Sequence, residues 1–206
     1  MLFVRLLFRV RVEGLENIPE EGPAILAFNH VSVLDGPVLA IEVARRRRRE
    51  ARFLVAAEVF SKMFFGWVLR TFDQIPIRRG QGDAHALDEA VRVVEAGAIA
   101  AIAPEGRVND DPDAGLQRIR RGAARLALPT GAPVIPVGMW GTQIRWPRGG
   151  VRLGAPWRPP LALVFGDPVF PSGDRDVPSD VDAFTDQIRT AIEAQVVRAR
   201  IVTGSP

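Results

Sequence analysis

The amino-acid sequence predicts a single α/β domain spanning residues 1–206, with a central, mostly parallel sheet flanked by helices. Three observations carry that expectation. Short apolar runs of strand length alternate with stretches of helical periodicity, the order that builds parallel sheets. Glycines fall where the periodic segments stop, as helix C-termini require. The 206 residues, 47% of them hydrophobic, suffice to bury one sizeable core, and no repeat or Ser/Gly linker divides them.

Taken in order, the N-terminal MLFVRLLFRVRVEG mixes Arg5, Arg9 and Arg11 into its apolar residues, leaving no signal-peptide core or small-residue cleavage site. PAILAFN, bounded by Gly22 and His30, reads as a buried strand, and SVLDGPVLAIEVARR as the helix after it. ARFLVAA reads as a second strand and EVFSKMFFGWVLR as one helix. FDQIPIRRG is extended, because Pro76 biases Ile75 away from helix. DAHALDEAVRVVEAG is the clearest helix, with Leu87, Ala90, Val91 and Val94 on one face and Gly97 as its stop. AIAAIAP then reads as strand, RGAARLALPTG as helix, APVIPVGM and LALVFGDPV as two more strands. The stretch from Arg145 to Pro160, rich in Trp, Pro, Gly and Arg, reads as an ordered loop over one edge. SDVDAFTDQIRTAIEAQVVRAR closes the chain as a long amphipathic helix, with Ser179 and Asp182 spaced as a capping box.

Composition removes several kinds of chemistry. Without cysteine there is no disulfide, no thiolate nucleophile and no Cys-ligated metal. With two histidines, His30 and His85, a three-histidine zinc centre within the chain is excluded. The positive charge is arginine almost throughout, Lys62 being the one lysine. Between Ala40 and Gly80 ten cations face four acids, a block that suits an anionic surface or a phosphate-bearing ligand. The longest apolar stretch, Phe53 to Phe72, is broken by Glu58, Lys62 and Arg70 and so does not span a bilayer. Within it Phe60, Met63, Phe64, Trp67 and Val68 recur at helical spacing beside Lys62 and Arg70, which marks about 58–72 as an amphipathic membrane-interface segment. No nucleic-acid module is recognisable, and the aromatics sit in apolar stripes rather than among arginines.

Four windows carry candidate chemistry. In FNHVSVLDGP, His30 falls where a strand ends, the place where open α/β sheets bind ligands. Five helical steps of about 100° put His30 and Asp35 roughly 140° apart, so they share no helical face. A histidine just ahead of the helix can nonetheless fold back on the first turn, where Asp35 would hold its tautomer as the acid does in base catalysis. The same acid also fits a capping box with Ser32. IPIRRG places paired Arg78 and Arg79 before Gly80, a fork for phosphate oxygens beside backbone that can approach closely. APEGR ends another strand and sets Glu105, Gly106 and Arg107 in one turn, which also fits a surface turn with a local ion pair. PTGAPVIPVG holds no ionisable group and reads as architecture.

Together, in this order and spacing, the four resemble the lysophosphatidate acyltransferase family, whose bacterial members acylate 1-acylglycerol 3-phosphate. The family's N-H-x-x-x-x-D block, known as HX4D, corresponds to Asn29, His30 and Asp35. Its second block corresponds to Ile75, Pro76, Arg79 and Gly80, its P-E-G block to Pro104, Glu105 and Gly106, and its fourth to residues Ala132 to Val137. The likeness runs from about Val10 to Arg198. Arg107 stands one position earlier than the arginine of the usual P-E-G-T-R-S, and Arg78 replaces the acid that commonly precedes the second block's arginine. The resemblance implies a glycerolipid-acyltransferase fold and acyl transfer from acyl-CoA or acyl-carrier protein to lysophosphatidic acid, giving phosphatidic acid, with no cofactor and no metal. It implies His30 as base and Asp35 as its orienter, Arg78, Arg79, Gly80 and Arg107 at the acceptor phosphate, and Glu105 with Gly106 at the glycerol. It also implies a peripheral, monotopic place on an anionic cytoplasmic membrane face. The alternatives are acylation of another lipid hydroxyl, on a glycolipid or glycerol 3-phosphate, and a non-catalytic peripheral lipid-binding protein.

Overall fold

The computed structural model describes residues 2–77, 85–152, 154 and 156–205. Its strands are β1 (Arg9–Glu13), β2 (Ala24–Phe28), β3 (Ala51–Ala56), β4 (Ile75–Ile77), β5 (Ile99–Ile102), β6 (Val134–Trp140) and β7 (Pro160–Phe165). The helices are α1 (Leu2–Leu7), α2 (Asp35–Arg47), α3 (Ala57–Phe60), α4 (Met63–Thr71), α5 (His85–Glu95), α6 (Gly122–Thr130) and α7 (Pro178–Thr203). The described strands form one sheet in the order β1-β7-β6-β2-β5-β3-β4. From β6 to β4 every pairing is parallel; β7 runs antiparallel to β6, and β1 parallel to β7. The expected mostly parallel α/β architecture is what the chain adopts.

Strand pleating assigns each residue to a layer. Ile25 and Ala27 of β2 join a core with Ala90 and Val94 of α5, Leu126 of α6, and Phe184, Ile188 and Ile192 of α7. Their neighbours Ala24, Leu26 and Phe28 face the other way, onto Val38, Leu39 and Val43 of α2 and Val4 and Phe8 of the N-terminal segment. All five residues of β2 are buried, which accounts for their reading as a continuous apolar run rather than an alternating one.

Two expectations are corrected, and one strand is added. The helix read across Glu58 to Arg70 is two, because Lys62 is extended (φ −77°, ψ 120°) and Ser61 Oγ returns to the Glu58 carbonyl. The Phe60 carbonyl takes a bond from the Arg70 guanidinium (3.1 Å), and Gly66 lets the second helix pass it: a Cβ there would stand 2.0 Å from that oxygen. The capping box of Ser179 and Asp182 does not form. Helix α7 begins a residue earlier, with Pro178 in the first turn where a missing N–H costs nothing, and Asp182 pairs instead with Arg121 at 2.5 Å. Strand β1 is an addition. Its arginines alternate with half-buried Val10 and Val12 at the sheet edge, the period-2 pattern of a half-buried strand.

Candidate active site

Five parallel strands share one direction, so the turns after β2, β5 and β6 meet at one edge of the sheet. Asn29, the first residue beyond β2, is buried and fastened to β6: its Nδ2 donates to the Met139 carbonyl (3.0 Å) and its Oδ1 accepts the Met139 N–H (2.7 Å). His30 comes next, and both its backbone groups are held. Its N–H donates to Glu105 Oε1 at 2.6 Å, and its carbonyl accepts the Asn109 N–H at 2.6 Å. The ring meets Phe28 edge-on, centroids 6.0 Å apart.

The five-residue spacing resolves as a fold-back. His30 precedes the helix, and its Nδ1 lies 3.0 Å from Asp35 Oδ2. That same oxygen accepts the N–H groups of Val31 and Ser32, each at 2.7 Å, while Asp35 Oδ1 accepts the Thr142 hydroxyl at 2.5 Å. An oxygen already taking two N–H bonds is an acceptor toward the ring as well, so Nδ1 carries the hydrogen. In the neutral imidazole the lone pair is then on Nε2. Asp35 is fully buried, whereas the His30 side chain keeps 20% of its surface exposed, so the ring can be reached and its prop cannot. The capping box itself does not form, since α2 begins at Asp35 with Leu34 as its N-cap and no side-chain bond there; Ser32 and Asp35 close the turn just ahead of it. Ser32 Oγ accepts the Leu34 N–H at 3.0 Å while Asp35 reaches back to the Ser32 N–H. One carboxylate closes the turn and orients the ring.

Glu105, 4% exposed, spends its second oxygen on the Gln117 N–H at 3.1 Å. Both oxygens therefore brace backbone, one at His30 and the other at Gln117. Burial pushes its pKa above the ordinary 4.5, with the two backbone donors and His30 working against that rise. Gly106 is left-handed (φ 72°) and lies against the Arg120 side chain, where a Cβ would come within 3.1 Å of Nε. Arg107 is exposed at the same turn, its Nε bonded to Gln117 Oε1 at 2.9 Å. Arg78, Arg79 and Gly80 lie outside the described residues, and so does the side chain of His85. Among the described residues no group of acids and histidines is placed to hold a metal ion, and no helix is long and apolar enough to cross a membrane.

Two groups at this site escaped sequence reasoning. Thr142 has no motif of its own and contacts Asp35 across 107 residues; Asn109, which holds the His30 carbonyl, sits in a turn with no pattern to mark it.

Residues 9–140, a span containing all four sequence windows, match the family model described as Acyltransferase. The chain belongs to the acyltransferase family. An uncharacterised protein of Mycobacterium tuberculosis is 32% identical over 235 residues, covering 95% of this chain and 63% of its own length. The chain thus spans less than two thirds of that relative. A chloroplastic 1-acyl-sn-glycerol-3-phosphate acyltransferase of Arabidopsis thaliana is 27% identical over 145 residues, 69% of this chain and 39% of that protein. The crystal structure of the 1-acyl-sn-glycerophosphate acyltransferase of Thermotoga maritima superposes with a TM-score of 0.70 at 27% identity, over 95% of this chain and 74% of that one. The family resemblance read from the four blocks is borne out.

Proposed function

We propose that this protein transfers an acyl group from acyl-CoA or acyl-carrier protein to the free hydroxyl of lysophosphatidic acid, forming phosphatidic acid. The observation that carries the reading is a reachable imidazole whose Nδ1 is tied to a buried carboxylate at the end of a central parallel strand. In the proposed reaction, Nε2 of His30 takes the hydroxyl proton as the acceptor oxygen attacks the thioester carbonyl. The C–S bond breaks as the new ester C–O bond completes, and the imidazolium returns its proton to the departing thiolate. Asp35 stabilises the ring while it is charged. No covalent acyl-enzyme and no metal enters this sequence of steps.

The acceptor phosphate is assigned to Arg78 and Arg79 with Gly80 giving close backbone approach, and to Arg107 in support beside Gly106. Glu105 acts on the acceptor indirectly, by fixing the His30 backbone. Attachment is proposed to be peripheral, at the cytoplasmic face of an anionic membrane. Supporting it, α4 leaves Met63 and Trp67 91% and 62% exposed, with Phe72 just beyond it and Lys62 and Arg70 alongside. Trp157 and Val151, in the connection that leads into β7, add exposed apolar surface.

Free-thiol release from palmitoyl-CoA by purified protein tests this. Release is expected with 1-acylglycerol 3-phosphate, and only slight release with glycerol 3-phosphate, a glycolipid or no acceptor. Equal release with an uncharged lipid alcohol would move the acceptor assignment; vesicle binding without any release would leave a lipid-binding protein.

A further inference from the structure

The hydrogen bonds around Asp35 are unevenly shared. Three donors, from His30, Val31 and Ser32, converge on Oδ2. The two oxygens turn together about the broad aspartate χ2 torsion, so a bond to either one restrains the carboxylate plane. The donors on Oδ2 all come from residues 30–32, the ring itself among them, so a tie to the rest of the fold comes through Oδ1. Among the described residues, the hydroxyl of Thr142 makes it, at 2.5 Å, and both side chains are completely buried.

Thr142 is held in place by the segment that carries it. It opens a short 3-10 turn, Thr142–Ile144, directly after β6. That segment grips the His30 block at two further points: Met139 exchanges its bond pair with Asn29, and the Trp146 carbonyl accepts Ser32 Oγ at 2.6 Å. Residues 139–146 thus form a template against residues 29–35, and Thr142 is its contact with the carboxylate.

We propose that Thr142 is a positioning residue of this site, its hydroxyl fixing the rotation in which Asp35 presents Oδ2 to the His30 ring. It touches no substrate and acts through Asp35. The proposal rests on His30 serving as the base, and it extends the machinery beyond the four family blocks to the turn after the fourth. Thr142→Val keeps the side-chain shape and removes the donor; Thr142→Ser keeps the donor.

The test is steady-state acyl transfer by both variants, in the wild-type and Asp35→Asn backgrounds, with thermal midpoints and His30 imidazole 15N shifts recorded alongside. Thr142→Val is expected to lose about tenfold to a hundredfold in kcat, the scale of a misplaced catalytic group, with the acceptor KM within about twofold. Thr142→Ser is expected within about threefold of wild type, and Thr142→Val is expected to add almost nothing once Asp35 is already Asn. Should Thr142→Val not fold, Thr142→Cys, similar in volume and a weaker donor, replaces it with the same expectation in milder form. The proposal is overturned if Thr142→Val keeps half of kcat, if Thr142→Ser falls equally far, or if the full loss persists in Asp35→Asn. Should the wild type turn over no acceptor, the function assigned above fails, and the spectra still decide this proposal. His30 15N shifts that move in Thr142→Val and not in Thr142→Ser support it, and shifts unmoved in both overturn it.

Discussion

At the scale of single residues, chemistry is concentrated in one buried carboxylate that serves two ends. Asp35 closes the turn into α2 through the Ser32 N–H and props the His30 ring through the same oxygen. The two readings of its spacing meet in the turn rather than in a cap: Asp35 is the first residue of α2, and its side chain reaches back to the His30 ring and the Ser32 N–H. Glu105 shows the opposite lesson. Its place in a P-E-G turn is legible in the sequence, but its work is not: it bonds the backbone of His30 across 75 residues, and a carboxylate that braces backbone carries the same letter as one that binds substrate. Burial raises its pKa in the folded protein, so the fold binds that proton more tightly than the unfolded chain does. Stability from this group is therefore fully present below the ordinary 4.5 and declines as pH rises through the elevated folded value. Urea unfolding between about pH 4 and pH 7 is expected to show this decline in wild type and to lose it in Glu105→Gln. A decline of equal size in Glu105→Gln would assign it elsewhere. Thr142 left no trace in the sequence, since an uncharged polar residue in a turn acquires meaning only from its partner.

At the scale of elements, those with strong periodicity or continuous apolar runs were readable, and the exceptions have local causes. Strand β1 carries its period in plain alternation of arginine and valine, and one apparent helix broke where Lys62 turns extended. Helix α7 starts on a proline, which has no N–H to cap, and Asp182 pairs with Arg121 rather than reaching back to the Ser179 N–H. Strand β6 is gripped by α7 more closely than its apolar letters suggest. A Cβ at Gly138 would stand 2.1 Å from the Gln195 backbone, and α7 cannot retreat because Ile188, Ile192 and Ala199 are buried against the sheet. Gly138→Ala is expected to cost at least about 1–3 kcal/mol, the usual range for overpacking, read as a lower denaturant midpoint. An unchanged midpoint would mean that this strand and helix part readily.

At the scale of the whole molecule, the parallel strands deliver the turns of the His30 and Glu105 blocks and of Thr142 to one edge of the sheet, the convergence that open α/β sheets use for ligands. The fold class and this convergence followed from alternating periodicities; the contacts that make a site of it come from residues 75 and 107 positions apart and were not legible. If the exposed residues of α4 enter lipid, replacing Met63 and Trp67 by Ser should lower partitioning onto anionic vesicles about tenfold or more, since each buried side chain of this size contributes roughly 1.5–3 kcal/mol. Turnover of a short-chain, water-soluble acceptor should stay near wild type, and unchanged vesicle binding would remove α4 from the membrane. The base itself is tested most directly by following phosphatidate formation, by mass spectrometry, in His30→Ala beside wild type and His85→Ala. His30→Ala with an unaltered fold is expected to lose about 10²–10⁴ in rate, the range for general base catalysis, while His85→Ala stays near wild type; a His30→Ala protein keeping a tenth of the wild-type rate would contradict the assignment.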